Sequence, residues 1–182
     1  MRETDHPPEE ERFRALYDAH FDAITGFVRR RADDPHDAAD AVAETFLVAW
    51  RRLADVPPGE QARYWLYRVA RNTLANQRRG EHRRRDLAAR VGAELGGDLA
   101  AAAPADDGPG GVAAAFRGLR DGDRELLSLV AWEGLDAGEI AAVLGVSRNA
   151  VRIRLHRARR RFARELEQHG VAPAVRPKKE YA

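Results

Sequence analysis

The chain contains no cysteine. That excludes disulfide staples, thiol nucleophiles and cysteine-ligated zinc. It also lacks any run of eighteen apolar residues, and no charged, then apolar, then small-residue leader opens it. Neither a membrane span nor a secretory signal is therefore expected, and the expected place of work is the cytoplasm. Lysine is nearly absent: Lys178 and Lys179 are the only two, and every other Lys/Arg position is arginine, whose planar fork suits phosphates and base edges. A codon preference for arginine would give the same excess. Paired acids or a His–acid couple near the basic blocks are also scarce. Glu81 and His82 are the only local candidates, and neighbours in sequence diverge on a helix, so no catalysis, cofactor or small-molecule substrate is expected.

What remains is 182 residues, 44% of them apolar, enough for two small helical domains with cores of their own. The net charge of +2 conceals a strong segregation. Arg63 to Arg85 holds eight arginines against one glutamate, a net +7, and Ile140 to Arg164 holds eight arginines and no acid, a net +8. The rest of the chain then carries −13. Two cationic blocks on an otherwise anionic body suit a polyanion touched at two places; two solvated helix faces are the plainer alternative.

Periodicity is helical nearly throughout, and no strand is expected. Phe13, Leu16, Tyr17, Phe21, Ile24, Phe27 and Val28 recur at spacings of three and four and define one apolar face. Asp34 and Pro35 punctuate the start of a second helix, with Ala39, Val42, Phe46, Trp50 and Leu53 as its expected inner face. On its other side Asp37, Asp40 and Glu44 form a carboxylate stripe, read as solubility, a metal site with His36, or a docking face for a basic partner. Metal is the weakest of the three, because no other element supplies converging ligands.

The segment ADVPPGEQ interrupts the pattern with two prolines and a glycine. Helix resumes near Ala62, with Trp65, Leu66, Val69, Ala70, Thr73 and Leu74 placed inward and Arg68, Arg71, Asn72, Asn76, Arg78 and Arg79 left for a ligand face. Arginines for phosphates, an aromatic stacking plane and Asn for base edges suit unpaired nucleic acid; Tyr64, Trp65 and Tyr67 as core aromatics is the alternative. From Asp86 to Gly111 the chain turns to Ala, Gly, Pro and Asp and reads as a linker, with a short helix carrying Leu87, Val91 and Leu95 at its start.

The clearest local motif is GLDAGEIAAVLGVSRNAVRIRLHRARRRF. Asp136 and Glu139 form a capping pair, Gly145 permits a left-handed turn, and Ser147 caps a second helix. Val151, Leu155, Ala158 and Phe162 face inward, leaving Arg148, Asn149, Arg152, Ile153, His156, Arg157 and Arg160 outward. This describes a helix-turn-helix whose second helix enters a major groove, with a plain helical hairpin as the alternative. Arg152 and Arg157 are placed to read guanine edges. His156 alone reads equally well as a surface residue.

Taken together, DPHDAADAVAETFLVAWRRL, ARYWLYRVARNTLANQRR and GVSRNAVRIRLHRARRRF, in this order and spacing, resemble the extracytoplasmic-function (group 4) sigma factors of the sigma-70 family over about residues 11–168. The resemblance implies an all-α protein of two domains: a tail over 1–10, a second sigma domain over 11–85, a flexible linker over 86–111, a fourth sigma domain over 112–168 and a disordered tail over 169–182. It implies docking on core RNA polymerase through Asp37, Asp40, Glu44, Phe46 and Trp50. It further implies minus-ten reading through Trp65, Arg68, Asn72, Asn76, Arg78 and Arg79, with a flipped base bordered by the loop Val56 to Gln61. Minus-thirty-five reading falls to Arg148, Asn149, Arg152, Ile153, His156, Arg157 and Arg160. Promoter DNA, core polymerase and an anti-sigma factor are the implied partners. Ala43 stands where the family usually has Gln, Asn149 where Gly is frequent, and Ile153 where a small polar residue is common, so promoter sequence does not transfer from relatives. A stand-alone DNA-binding regulator is the rival reading, and it would leave the Asp37 to Trp50 helix without a task.

Overall fold

The computed structural model describes residues 7–95 and 110–171, with side chains for 9–85 and 110–171. Seven α-helices and one 3-10 turn make up the described residues, which contain no strand. The chain divides into two compact units, the first built on the helices up to residue 95 and the second on those from residue 110.

Three helices build the first unit: α1 (Pro7–Arg29), α2 (Pro35–Arg51) and α3 (Gln61–Leu95). Helix α1 starts inside the stretch expected to be a tail, because proline is tolerated in a first turn and Glu9 and Glu10 favour the positive helix end. Its inner face ends in Ile24, Phe27 and Val28, all without solvent exposure. Toward its N-terminus an aromatic ladder takes over. Phe13 meets Trp50 edge-on at 5.1 Å, and Tyr17 meets Phe46 at 4.7 Å.

Helix α2 begins where the sequence indicates, with the Asp34 side chain accepting from the His36 N–H at 2.6 Å. Its buried face differs from the expected one. Ala38, Ala41, Val42, Thr45, Phe46 and Ala49 point inward, while Ala39 is exposed and Trp50 lies at the margin, 38% exposed. Packing against both α1 and α3 requires a broader face than one stripe at four-residue spacing. Thr45 is admitted to this core because its hydroxyl donates to the Ala41 carbonyl at 2.6 Å.

After α2 a 3-10 turn, Leu53–Asp55, leads into the proline loop. Helix α3 then runs unbroken to Leu95, so the short helix expected after Asp86 is continuous with it and the linker expected from 86 begins later. No glycine or proline between Asp86 and Val91 marks a stop, and helix propagation costs less than a new nucleus. Residues 1–6, 96–109 and 172–182, which carry the remaining linker and tail expectations, lie outside the described residues. Tyr64 and Tyr67 are core aromatics: each is almost wholly buried, and Tyr67 stacks on Phe27 at 4.8 Å.

The second unit consists of α4 (Gly111–Arg117), α5 (Asp121–Ala131), α6 (Ala137–Leu144) and α7 (Arg148–Gln168). Its core includes Leu126, Leu129, Leu135, Ile140, Val151, Leu155 and Ala158. Phe162 is half-buried and meets Phe116 edge-on at 5.9 Å. The buried carboxylate Asp123 is paired: Arg161 donates to both its oxygens, at 2.9 and 2.7 Å, tying α5 to α7. His169 to Val171, expected as the start of a tail, close α7 instead, with the Val171 N–H donating to the Leu166 carbonyl at 2.9 Å.

Truncating Phe27 to alanine removes a fully buried ring from the junction of α1 and α3. A loss of about 3–5 kcal/mol is expected. Amide hydrogen exchange should show α1–α3 opening while the protection of α5 and α7 is unchanged.

Candidate nucleic-acid interfaces and docking face

The second unit presents its arginines through a sequence of caps. Asp136 accepts from the N–H groups of Gly138 and Glu139 at 2.6 and 2.9 Å, and the Glu139 carboxylate accepts from the Asp136 N–H at 2.7 Å. Gly145 ends α6 in the left-handed conformation, φ +68°, which a side chain would strain. Two residues later Ser147 starts α7, its hydroxyl accepting from the Ala150 N–H at 3.2 Å. The tight turn fixes which face of α7 is outward.

On that face Arg148, Asn149, Arg152, Ile153, His156, Arg157 and Arg160 are all exposed. Asn149, Arg152, Ile153, His156 and Arg157 line one shallow depression of about 560 Å³. Amide, guanidinium, imidazole and an apolar group thus lie side by side on the N-terminal half of the helix. Ile153 is 45% exposed, a wet position for an isoleucine that no core contact explains. A second depression is lined almost entirely by Arg157, Arg160, Arg161 and Arg164 and suits phosphates alone.

In the first unit the six residues expected at the minus-ten face separate into two kinds. Arg68, Asn72, Asn76, Arg78 and Arg79 are exposed on α3. Trp65 is half-buried against the cluster of Leu53, Val56 and Ala62. Two arginine heads are held in place: Arg79 donates to the Asn76 side-chain oxygen, and Arg78 donates to the Arg31 carbonyl just beyond α1. Partial burial, and then the nearby Arg63, lower the pKa of His20 from its ordinary 6.5.

The docking residues also separate. Asp40 and Glu44 are exposed, Asp37 is half-buried, and Trp50 offers one edge beside Phe13. Phe46 is 4% exposed and sits among Tyr17 and Phe21, so it shapes α2 from beneath and is not part of a contact surface. Leu47 takes the outward position, 39% exposed. The sequence carried a signal for it: Leu47 lies opposite a face built on positions 38, 41, 42, 45 and 49. Asp40, Glu44 and Leu47 from α2 share a groove of about 860 Å³ with Asn72 and Asn76 from α3. Among the described residues no three His, Asp or Glu side chains gather to hold a metal ion. Nor is any described helix long and apolar enough to cross a membrane.

Comparison with known proteins matches both units to one family. Residues 16–84 match the family model of Sigma-70 region 2, and residues 112–162 match that of Sigma-70 region 4. The chain is 36% identical over 144 residues to the RNA polymerase sigma factor CnrH of Cupriavidus metallidurans, covering 72% of this chain and 74% of that protein. It is 30% identical over 168 residues to the ECF RNA polymerase sigma factor SigL of Mycobacterium tuberculosis, covering 87% of this chain and 90% of that protein. Among solved structures, CnrH in complex with the cytosolic domain of CnrY is similar with a TM-score of 0.60 and 30% identity, over 86% of this chain and 88% of that chain.

The Asp136 cap carries a pH dependence. Hydrogen bonds from the Glu139 and Gly138 N–H groups, with a smaller effect of the Arg148 charge, hold its carboxyl below the ordinary 3.8. A folded-state pKa below the unfolded one gives a contribution fully present above 3.8 and lost as pH falls through the folded value. Protection of the Gly138 and Glu139 amides should therefore fall in that acid window in the native chain and stay flat in Asp136→Asn.

Proposed function

The chain belongs to the extracytoplasmic-function sigma factors of the sigma-70 family, which direct RNA polymerase to promoters, and we propose how that work divides among its residues. It is a transcription initiation factor and not a stand-alone regulator. The single observation that carries the residue assignment is the exposed strip Asn149, Arg152, Ile153, His156 and Arg157, shaped by the Gly145–Ser147 turn.

That strip reads the minus-thirty-five element from the major groove. Arg152 and Arg157 donate to guanine edges, Ile153 meets a thymine methyl, Asn149 and His156 complete the hydrogen-bonding, and Arg148 and Arg160 hold phosphates. On the first unit Asn72 and Asn76 take the edges of unpaired minus-ten bases, Trp65 supplies a stacking edge, and Arg68, Arg78 and Arg79 neutralise phosphates. Extruding a base costs a few kcal/mol of unstacking, which stacking and hydrogen bonds at this face offset. Asp40, Glu44, Leu47 and the exposed edge of Trp50 dock on a basic, partly apolar surface of core polymerase, with Asp37 at the margin. Once both units are held on polymerase, the second promoter contact becomes intramolecular, so neither unit needs tight DNA binding alone. The chain contributes position and charge and no bond-making step of its own, and it works in the cytoplasm, where promoters are.

An anti-sigma factor is the proposed regulator. The solved relative CnrH is bound to the cytosolic domain of CnrY, and a partner covering the Asp40–Asn76 groove here would hide docking and minus-ten residues at once.

Run-off transcription with core polymerase and host promoter fragments tests the assignment. Arg152→Ala with Arg157→Ala should lower specific transcripts by about thirtyfold or more, at roughly 1–3 kcal/mol for each base contact. Core affinity should be unchanged. Asp40→Arg with Glu44→Arg should do the reverse, weakening core binding while the free chain's affinity for a minus-thirty-five duplex is retained; equal loss of both would sink the division of labour.

A further inference from the structure

The loop that leaves α2 is held more firmly than its sequence suggests. Val56 is 4% exposed and packs with Leu53 and Ala62 in a cluster that also takes Phe13 and Leu16 from α1 and Trp65 from α3. Its carbonyl accepts from the Arg12 guanidinium at 2.8 Å, a bond spanning forty-four positions. Before it, Arg52 and Asp55 pair at 2.8 Å across the 3-10 turn. Beyond it come Pro57 and Pro58, whose rings fix φ, and Gly59, which turns the chain at φ +64°. The far end is secured in its turn: the Ala62 N–H donates to the Gly59 carbonyl at 3.1 Å and the Arg63 N–H to the Glu60 carbonyl at 3.2 Å.

Burial of the Val56 side chain fixes where the loop starts but not its heading. Rotation of the 56–57 peptide plane would swing the whole proline segment, since two adjacent prolines transmit direction stiffly. Arg12 removes that freedom by fixing the carbonyl of that plane. It reaches from an exposed position on α1, so the core does not depend on its side chain.

We propose that Arg12 is a positioning residue for minus-ten recognition: its bond to the Val56 carbonyl aims the 57–60 arch at the unpaired base that α3 reads. This rests on the sigma-factor reading above, in which that loop borders the captured base. Arg12 need not touch DNA. Its effect is to spare the arch an ordering cost at the moment of base capture.

The test uses holoenzyme made from core polymerase and the full chain, either native, Arg12→Ala or Arg12→Lys. Templates are one promoter that the native holoenzyme transcribes and a series with a single abasic site moved along its non-template minus-ten strand. Arg12→Ala should form open complexes about tenfold less well on the intact promoter, the size of one charge-assisted hydrogen bond. The defect should vanish at one abasic position, where no base remains to capture, and persist at the others. Arg12→Lys, which can still donate to the carbonyl, should recover part of the loss; core affinity should match the native chain in both variants, and thermal unfolding should stay cooperative, lower by no more than the few degrees one hydrogen bond accounts for. A loss of the same size at every abasic position would assign Arg12 to phosphate contact or general folding and overturn the proposal, as would no loss at all. Failure of the native chain to start transcription with core polymerase would instead remove the sigma-factor reading, and the positioning role with it.

Discussion

A helix dense in arginine repels itself, and both candidate nucleic-acid faces of this protein are built on such helices. Like charges four apart each cost a few tenths of a kcal/mol, whereas a buried leucine or valine side chain contributes roughly 1.5–3 kcal/mol. In α7, Val151, Leu155 and Ala158 are buried beneath the arginines; in α3, Leu66, Tyr67, Ala70 and Leu74 are buried likewise. Burial wins by a clear margin. The cores are thus what permits the charge density, and α1, α2, α4, α5 and α6 give α3 and α7 something to bury against. The Asp123–Arg161 pair turns one excess arginine into an internal tie.

This dependence explains which features were readable in the amino-acid order. Where one helix face alternates cleanly between apolar residues and arginine, as in α7, the inward Val151, Leu155 and Ala158 and the outward Arg152, Ile153 and His156 fall where spacing puts them. Caps were equally legible, because Asp136, Glu139, Gly145 and Ser147 act within three or four residues. Helix α2 was harder. It is buried against two neighbours, so its inner face is wide and Ala38 turns inward in place of Ala39, while Phe46 falls inside as its spacing indicates and only the family resemblance assigned it to docking. Local periodicity cannot report the direction of a second neighbour. The Arg12–Val56 bond was invisible for the same reason, as nothing near either residue marks a partner on another helix.

The groove between α2 and α3 places carboxylates and the Asn72 and Asn76 amides on opposite walls of one depression. Asp40 and Glu44 repel phosphate, so a strand approaching Asn72 and Asn76 is favoured along the arginine side of α3 and disfavoured along α2. Negative charge beside a nucleic-acid site acts as a fence. On the proposed assignment, it keeps the polymerase-facing and promoter-facing sides of one small three-helix unit from being confused by either partner.

The near-exclusive use of arginine on α7 has a thermodynamic consequence. Arg152, Arg154, Arg157, Arg159, Arg160 and Arg164 are exposed, and guanidinium stays protonated at any pH a cell reaches. Seating such a helix on a duplex expels condensed cations, and the two phosphate contacts proposed for Arg148 and Arg160 give a dependence near the second power of salt concentration. A twofold rise in ionic strength then weakens the bare contact by roughly threefold to fourfold. The arginines of the helix act, in effect, as a salt gauge: deaf to proton concentration and responsive to the ions around the duplex.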